Sequence, residues 1–407
     1  MRNSSILISG AGIAGPALAY WLREYGFRPT VIERAPAPRP GGQTVDLRGA
    51  GRTVMERMGL MDQARQISLD QRGIAFVGVD GRVAARMPTD LFGGEGIVSE
   101  LEVLRGDLGR VLHDATAPHT EYLFDDTITG LDQDDHGVVV RFETAAPRRF
   151  GLVIGADGLH SPVRALAFGA EQQCVRPLDC YTCWFTAPAE VDLDGWYLMY
   201  NAPGGLVASM RPGRLPGEIK AALSFRSPPL SYDRRDVAAQ QDIVAARFAA
   251  VGWHVPQLLQ AARTAGDFFF DSMGQVHLDR WSSGRTALIG DAGYCPTPLT
   301  GLGTSLALVG AYVLAGELAA AGGDHVVGYH RYEQIMRPYV TQAQRLPPGG
   351  VSGYAPTSAF GIRARTASMR WMARRPMRTL LTRQFRKAED IALPDYGARD
   401  RQPRVGG

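Results

Sequence analysis

Four cysteines in 407 residues, Cys174, Cys180, Cys183 and Cys295, are too few to staple a chain of this size, so it must be held by packing. Cys180 and Cys183 have the spacing of half a zinc site, but no second pair accompanies them. They also sit in a stretch, through Tyr181 to Phe185, that reads as a strand, on which residues three apart point to opposite faces. Both are read as small buried hydrophobes. The eight histidines form no metal spacing, and there is neither a Gly-x-Ser-x-Gly elbow nor a His-Glu-x-x-His helix. Charge of one sign is scarce: 44 basic against 41 acidic residues give a net charge of +3, with the excess near the C-terminus, and no field that argues for nucleic acid. The start is polar for five residues and the apolar run after it is too short to span a bilayer, so a cytoplasmic protein with no membrane partner is expected.

What the chain does have is an opening built for a nucleotide. Ile6-Leu7-Ile8-Ser9-Gly10-Ala11-Gly12-Ile13-Ala14-Gly15 reads as a buried strand, a tight turn and a helix start. Gly10 permits the turn, Gly12 lets backbone amides approach a pyrophosphate, and Gly15 lets the helix pack close to the strand. Phosphate then lies on the helix N-terminus, where unpaired N–H groups and the dipole favour negative charge. A second strand, Pro29 to Glu33, follows after Gly26, and Glu33 stands 18 residues past Gly15, where the fold places an acid for the adenosine ribose. The motif by itself does not choose between NAD and FAD.

At 407 residues with 45% hydrophobic content, two domains are expected. The predicted class is α/β: a Rossmann-type nucleotide domain interleaved with a mostly antiparallel sheet, plus a C-terminal helix. Residues 1–72, 98–173 and 272–346 are assigned to the nucleotide domain, 73–97 to a hairpin turning at Asp80-Gly81, and 174–271 to the sheet of a substrate domain. One helix, at about 235–251, interrupts that sheet. Two further apolar strands end in a glycine-flanked acid, Leu152 to Asp157-Gly158 and Arg285 to Gly290-Asp291, the second followed by Pro298 and by Gly301-Leu302-Gly303 opening a long apolar helix. In 347–407, Arg363 to Ile391 reads as an amphipathic helix with Met369, Met372, Met377, Leu380 and Leu381 apolar, read as bracing the two domains in preference to lying on a membrane.

Three separated motifs, Gly10 to Glu33, Gly155-Ala156-Asp157-Gly158 with Ser161 and Arg164, and Gly290-Asp291 with Pro298 to Gly303, stand in an order that resembles the single-component, class A flavoprotein monooxygenases of the para-hydroxybenzoate hydroxylase fold. The resemblance is to the branch with tetracycline-inactivating and aromatic-polyketide hydroxylases, and spans about residues 1–345. It implies FAD as cofactor and NADPH or NADH as co-substrate. By that resemblance Gly10, Gly12, Ile13, Ala14, Gly15, Glu33 and Arg34 hold the ADP half, Arg105 the ribityl and phosphate region, and Asp291 the ribityl chain and pyrophosphate. Pro298, Gly301, Leu302 and Gly303 lie beside the isoalloxazine ring, and Asp157 and Gly158 serve both FAD and NAD(P)H. Tyr294, Leu302 and Ser305 depart from the His, Gln and Asn frequent in the family.

The chemistry then belongs to the flavin, and no protein nucleophile or catalytic side chain is assigned. The expected reaction is hydroxylation of an aromatic or polyketide-type small molecule with O2 through a C4a-hydroperoxyflavin, in a dry cavity between the domains. Trp184, Trp196, Met199, Met210, Phe225 and Phe268 are the candidate lining residues. A Baeyer–Villiger, epoxidising or dehydrogenating flavoenzyme would use the same residues, and a catalytically silent FAD- or polyketide-binding protein would keep Gly10 to Glu33. A flavin halogenase would carry a Gly-Trp-x-Trp-x-Ile-Pro signature, from which Gly195-Trp196-Tyr197 departs. A monomer or weak homodimer is expected.

Overall fold

The computed structural model describes residues 3–39, 41–92, 101–372 and 391–397. A six-stranded sheet runs in the order Ser282–Ser283, Thr286–Leu288, Leu152–Gly155, Ser5–Ser9, Arg28–Glu33, Glu121–Phe124, with all but the first pairing parallel. Its central strand is apolar at successive positions because both faces are covered. Ile6 and Ile8 point into one core with the helices Ala14–Glu24 and Gly303–Ala320, while Leu7 points into another with Val138, Val140 and Phe150. The second core lies under a three-stranded antiparallel sheet, Ile128–Asp134, Gly137–Phe142 and Arg148–Phe150. Burying each such isoleucine or leucine contributes about 1.5–3 kcal/mol.

Gly303–Ala320 is apolar all round, and by length and composition alone it is fit to cross a membrane, but most of it is buried as the central helix of the domain. The helix His325–Ala343 packs beside it, its first turn capped by Asp324, which accepts from the amides of Val326 and Val327. Sequence patterning did not single out that second helix.

The other large sheet has seven strands in the order Phe269–Val276, Val175–Pro188, Glu218–Arg226, Leu206–Pro212, Trp196–Ala202, Gly73–Val77, Val83–Pro88. Every neighbouring pair is antiparallel except Trp196–Ala202 with Gly73–Val77. The hairpin of residues 73–88 thus forms one edge of this sheet, and 93–97 lie outside the described residues. One face is buried under two helices, Val237–Phe248 and Val255–Thr264. The single helix expected at about 235–251 therefore stops early: the chain breaks at Gly252-Trp253, with Trp253 at φ +61°, and restarts with Pro256 in the first turn, where a missing N–H costs nothing.

The opposite face turns toward the nucleotide domain, where Arg211 reaches Thr44 and Glu102. The tail touches both domains. Its helix Ala359–Met372 lies on the Val83–Pro88 edge, with Arg365 over the Phe76 ring at 4.3 Å and Arg370 Nε donating to Ala84 O at 2.6 Å. Met377, Leu380 and Leu381 lie outside the described residues. Farther on, Pro394 O accepts from Tyr312 Oη at 2.7 Å and Arg57 Nη1 at 2.8 Å, pinning 391–397 to the nucleotide domain.

Candidate active site

The opening turn is set by contacts that leave no room for side chains. Gly10 has φ +104° and donates to Ile32 O at 2.7 Å, while a Cβ there would meet Ala156 O at 2.5 Å. A Cβ on Gly15 would fall 1.9 Å from Gly10 O, so the helix could not start so close to the strand. The carboxylate of Glu33 accepts from Ala11 N at 2.9 Å and Ala35 N at 3.0 Å, tying the end of the second strand to the turn. Arg34 is exposed beside it.

Ile13 precedes the helix Ala14–Glu24 without a side-chain cap, and no acid stands in the first turn. The same holds at Leu302, before Gly303–Ala320. Helix N-termini are ordinarily satisfied by Ser, Thr, Asp or Asn. Two long helices lacking caps at one edge of a parallel sheet present unpaired N–H groups suited to an anion or an electron-rich edge.

Between them lies a chain of close approaches. Arg105 opens the helix Arg105–Thr116, its amide donating to Gln43 O at 2.9 Å, and its Nη2 stands 2.9 Å from where a Gly12 Cβ would be. Asp291 follows Gly290, whose φ of +60° turns the chain off its strand, and Asp291 Oδ1 lies 3.7 Å from where a Gly303 Cβ would be. Asp291 is exposed at the head of the short helix Asp291–Tyr294. Crowding by neighbouring protein atoms pushes its pKa up, with Arg105 opposing.

Asp157 sits at the end of the Leu152–Gly155 strand. Its Oδ2 accepts from Ser9 Oγ at 3.0 Å and Val163 N at 3.2 Å, while Oδ1 is buried with no hydrogen-bond partner among the described residues. Burial pushes this carboxyl up, against Ser161, Val163 and Ser9. A buried carboxylate oxygen left over beside a glycine turn fits a site that a ligand completes. Gly158, at φ +85°, carries the chain away from it.

The loop at Pro298 to Gly303 is held from behind. Thr297, β-branched yet at φ +79° and 2% exposed, leads into Pro298, and a Cβ on Gly301 would lie 3.2 Å from Asp46 Oδ2. Asp46 pairs with Arg48 at 2.9 Å, and Arg48 O accepts from Ser305 Oγ at 3.1 Å. Sequence reading missed Thr297, Asp46 and Arg48. The only signal was Thr297 standing before a proline, which biases it to extended backbone but not to positive φ.

The candidate lining residues divide between the two faces of the seven-stranded sheet. Met199, Ser209, Ala222, Trp184 and Phe269 lie side by side across five strands, on the face from which Arg211 reaches the nucleotide domain. Trp184 stacks on Phe269 at 6.0 Å. Met210, Phe225 and Phe268 lie on the other face, packed with Val244 and Phe248 of the covering helices. Trp196 also falls on that side, under Arg86 at 4.9 Å. Met210, Phe225 and Phe268 are therefore corrected from lining to packing, and half-buried Trp196 to the face turned away from the nucleotide domain. In a sheet covered on both sides, apolar character does not tell which face a residue takes.

Residues 3–345 match the family described as the FAD binding domain. An uncharacterised protein of Mycobacterium tuberculosis (strain CDC 1551 / Oshkosh) is 46% identical over 356 residues, covering 86% of this chain and 95% of that one. A flavin-dependent monooxygenase of Legionella longbeachae serogroup 1 is 37% identical over 345 residues, covering 85% and 88%. The crystal structure of the tetracycline destructase Tet(55) superposes with a TM-score of 0.80 at 35% identity, over 97% of this chain and 100% of that one. The uncapped helices, the glycine turn and these matches agree: the chain belongs to the FAD binding domain family, as an FAD-dependent monooxygenase.

Proposed function

We propose that the chain uses NADPH or NADH and O2 to hydroxylate an aromatic or polyketide-type small molecule bound between the FAD seat and the seven-stranded sheet. The observation that carries this is the run Gly12, Arg105, Asp291, Gly303, in which each member lies close to or acts on the next and two uncapped helices flank the run. In this reading Gly10, Gly12, Ile13, Ala14, Gly15 and Glu33 seat the adenosine and pyrophosphate, with Arg34 at the rim. Arg105 neutralises phosphate, Asp291 accepts from ribityl hydroxyls, and Asp157 with Gly158 borders both nucleotides. Pro298, Gly301, Leu302 and Gly303 flank the ring.

When bound, the flavin supplies the redox and oxygen-activating chemistry. The chain's residues place and shield it. The N-terminal amides of Gly303–Ala320, free of a side-chain cap, would receive an electron-rich edge of the flavin and favour negative charge there. Trp184, on the sheet face turned to the nucleotide domain and stacked on Phe269, keeps the reacting region apolar and excludes water. Only one glycine fingerprint is present, so the nicotinamide cofactor docks without a Rossmann domain of its own.

The likeness to a tetracycline destructase supports a polycyclic, polyketide-like substrate class. The test is oxidation of NADPH or NADH by the yellow protein, with and without a panel of aromatic and polyketide compounds. One added oxygen atom, seen by mass spectrometry, is the expected result. No stimulation by any compound across a broad panel would point to the silent binder instead.

A further inference from the structure

His160 follows the Asp157-Gly158 turn by two residues, and both of its ring nitrogens meet carboxylates from other elements. Nδ1 lies 3.0 Å from Glu171 Oε2, in the short helix Glu171–Cys174, and Nε2 lies 2.8 Å from Asp271 Oδ1, on the strand Phe269–Val276. The first contact is local; the second spans 111 residues and joins the nucleotide domain to the seven-stranded sheet. An ionised carboxylate only accepts, and a neutral imidazole has one N–H. Both contacts are satisfied together only by the imidazolium.

We propose that His160, as an imidazolium shared by Glu171 and Asp271, is a positioning residue that clamps the Asp157-Gly158 turn to the seven-stranded sheet, and that loss of its proton loosens both the junction and the grip on the flavin. On deprotonation one nitrogen becomes an acceptor facing a carboxylate oxygen, and one contact must open. The two carboxylates are not equally dependent on it. Glu171 keeps Arg234 Nη2 at 2.8 Å, whereas Asp271 otherwise accepts only from Ser272 N among the described residues.

The charged and titratable groups facing the clamp are Glu171, Asp271, Arg234 from the loop before Val237–Phe248, Tyr232, and Arg164, 3.9 Å from Glu171. Asp291 lies within electrostatic reach of Asp271. Burial lowers the pKa of the His160 ring, the bonds to Asp271 and Glu171 outweigh it, Arg234 opposes them, and the net direction is upward. Glu171 is held down at about 2, its bonds to His160 and Arg234 outweighing burial. With the folded pKa raised above the ordinary 6.5, the stabilisation is full below about pH 6.5 and is lost as pH rises through the folded value.

The experiment follows the thermal midpoint and the rate of FAD release from the yellow holoprotein, from about pH 5.5 to about pH 8.5. The unaltered chain is expected to lose midpoint and release FAD roughly threefold faster across the upper part of that range, as one titration. His160→Gln, which cannot titrate, should give flat profiles, and Asp271→Asn should move the transition to lower pH. A flat profile in the unaltered chain, or a His160→Gln profile matching it, overturns the proposal. Neither readout involves substrate turnover, so failure here is separable from failure of the proposed reaction.

Discussion

Arg211 of the seven-stranded sheet and Glu102 of the nucleotide domain form a buried ion pair across the interface, with Thr44 accepting from the same guanidinium. The Tyr197 ring lies 3.8 Å beneath it. Burial pushes the Glu102 carboxyl up, and Arg211 opposes this. Glu102 Oε2 is buried with no hydrogen-bond partner among the described residues, so the pair is not a saturated network.

Removing one member of such a pair strands the other, which costs about 3–5 kcal/mol, while replacing both by apolar groups of similar volume costs far less. Glu102→Leu and Arg211→Met should each destabilise strongly, and the double variant should be more stable than the sum of the two losses requires. Urea unfolding of the four proteins measures the coupling. Additive losses would mean that the two side chains do not act as a pair.

At Gly15 the constraint is backbone against backbone: its missing Cβ would fall 1.9 Å from Gly10 O, and no side chain can move to make room. Gly15→Ala should destabilise the protein by about 2 kcal/mol or more. It should also give a colourless preparation, because the same shift displaces the amides proposed to receive phosphate. Absorbance near the flavin bands with the unfolding midpoint checks both at once.

Arg105 stands over Gly12 and acts on Asp291, which links the two halves of the seat. Charge-assisted contacts are worth about 1.5–3 kcal/mol, so Arg105→Ala should weaken FAD binding by about 10-fold or more. Asp291→Ala should lose FAD on purification. Titration of the apoproteins with FAD, followed by flavin fluorescence, gives the ratio; fully yellow Asp291→Ala would remove that carboxyl from the seat.

The nucleotide turn was legible in the sequence because its constraints are local. Gly15 and Glu33 are fixed by contacts within the first strand, turn, helix and second strand, and spacing encodes them, while Gly10 is also crowded by Ala156 O from a distant strand. The faces of the seven-stranded sheet were not legible. Trp184 and Phe185 are adjacent, bulky and apolar, yet one lies in line with Ser209 and the other with Met210. His160 and Arg211 escaped for a related reason: their partners are 111 and 109 residues away, and no periodicity reports a pairing at that distance.

The core of the nucleotide domain offers a sharper test of packing. Tyr332 Oη lies 3.0 Å from both Leu288 O and Tyr294 Oη, and a Cβ on Gly310 would fall 2.0 Å from Tyr294 Oη. The hydroxyl thus fills the space that Gly310 leaves open. Gly310→Ala should cost about 1–3 kcal/mol through overpacking. Tyr294→Phe removes the obstructing oxygen, and Tyr332 keeps its carbonyl partner, so the loss there should be about 1 kcal/mol. In the double variant the 2.0 Å clash is relieved, leaving a tight 3.3 Å approach to the ring carbon, and its unfolding free energy should exceed the additive expectation.

The division of the seven-stranded sheet also bears on turnover. Trp184 lies half-buried on the face turned to the nucleotide domain, whereas Met210 and Phe225 are sealed under the helices at 2% and 0% exposure. Met199, on the same face as Trp184, is 5% exposed and packed with Phe76 and Tyr197 beneath Arg365 of the tail. In the proposed reading a substitution at Trp184 alters the surface a substrate meets, and one at Met210, Phe225 or Met199 alters packing alone. Trp184→Ala should raise KM by about 10-fold, as loss of a buried apolar contact of about 1–3 kcal/mol requires, with FAD affinity little changed. Met210→Leu, close in volume, should cost less than about 1.5 kcal/mol in stability and leave KM in place. Steady-state kinetics on any compound that stimulates NADPH or NADH oxidation separates the two sets. An unchanged KM in both Trp184→Ala and the double variant Trp184→Ala/Phe269→Ala would move the substrate away from this face, because Phe269, stacked on Trp184, is the neighbouring side chain in that row large enough to take over the contact.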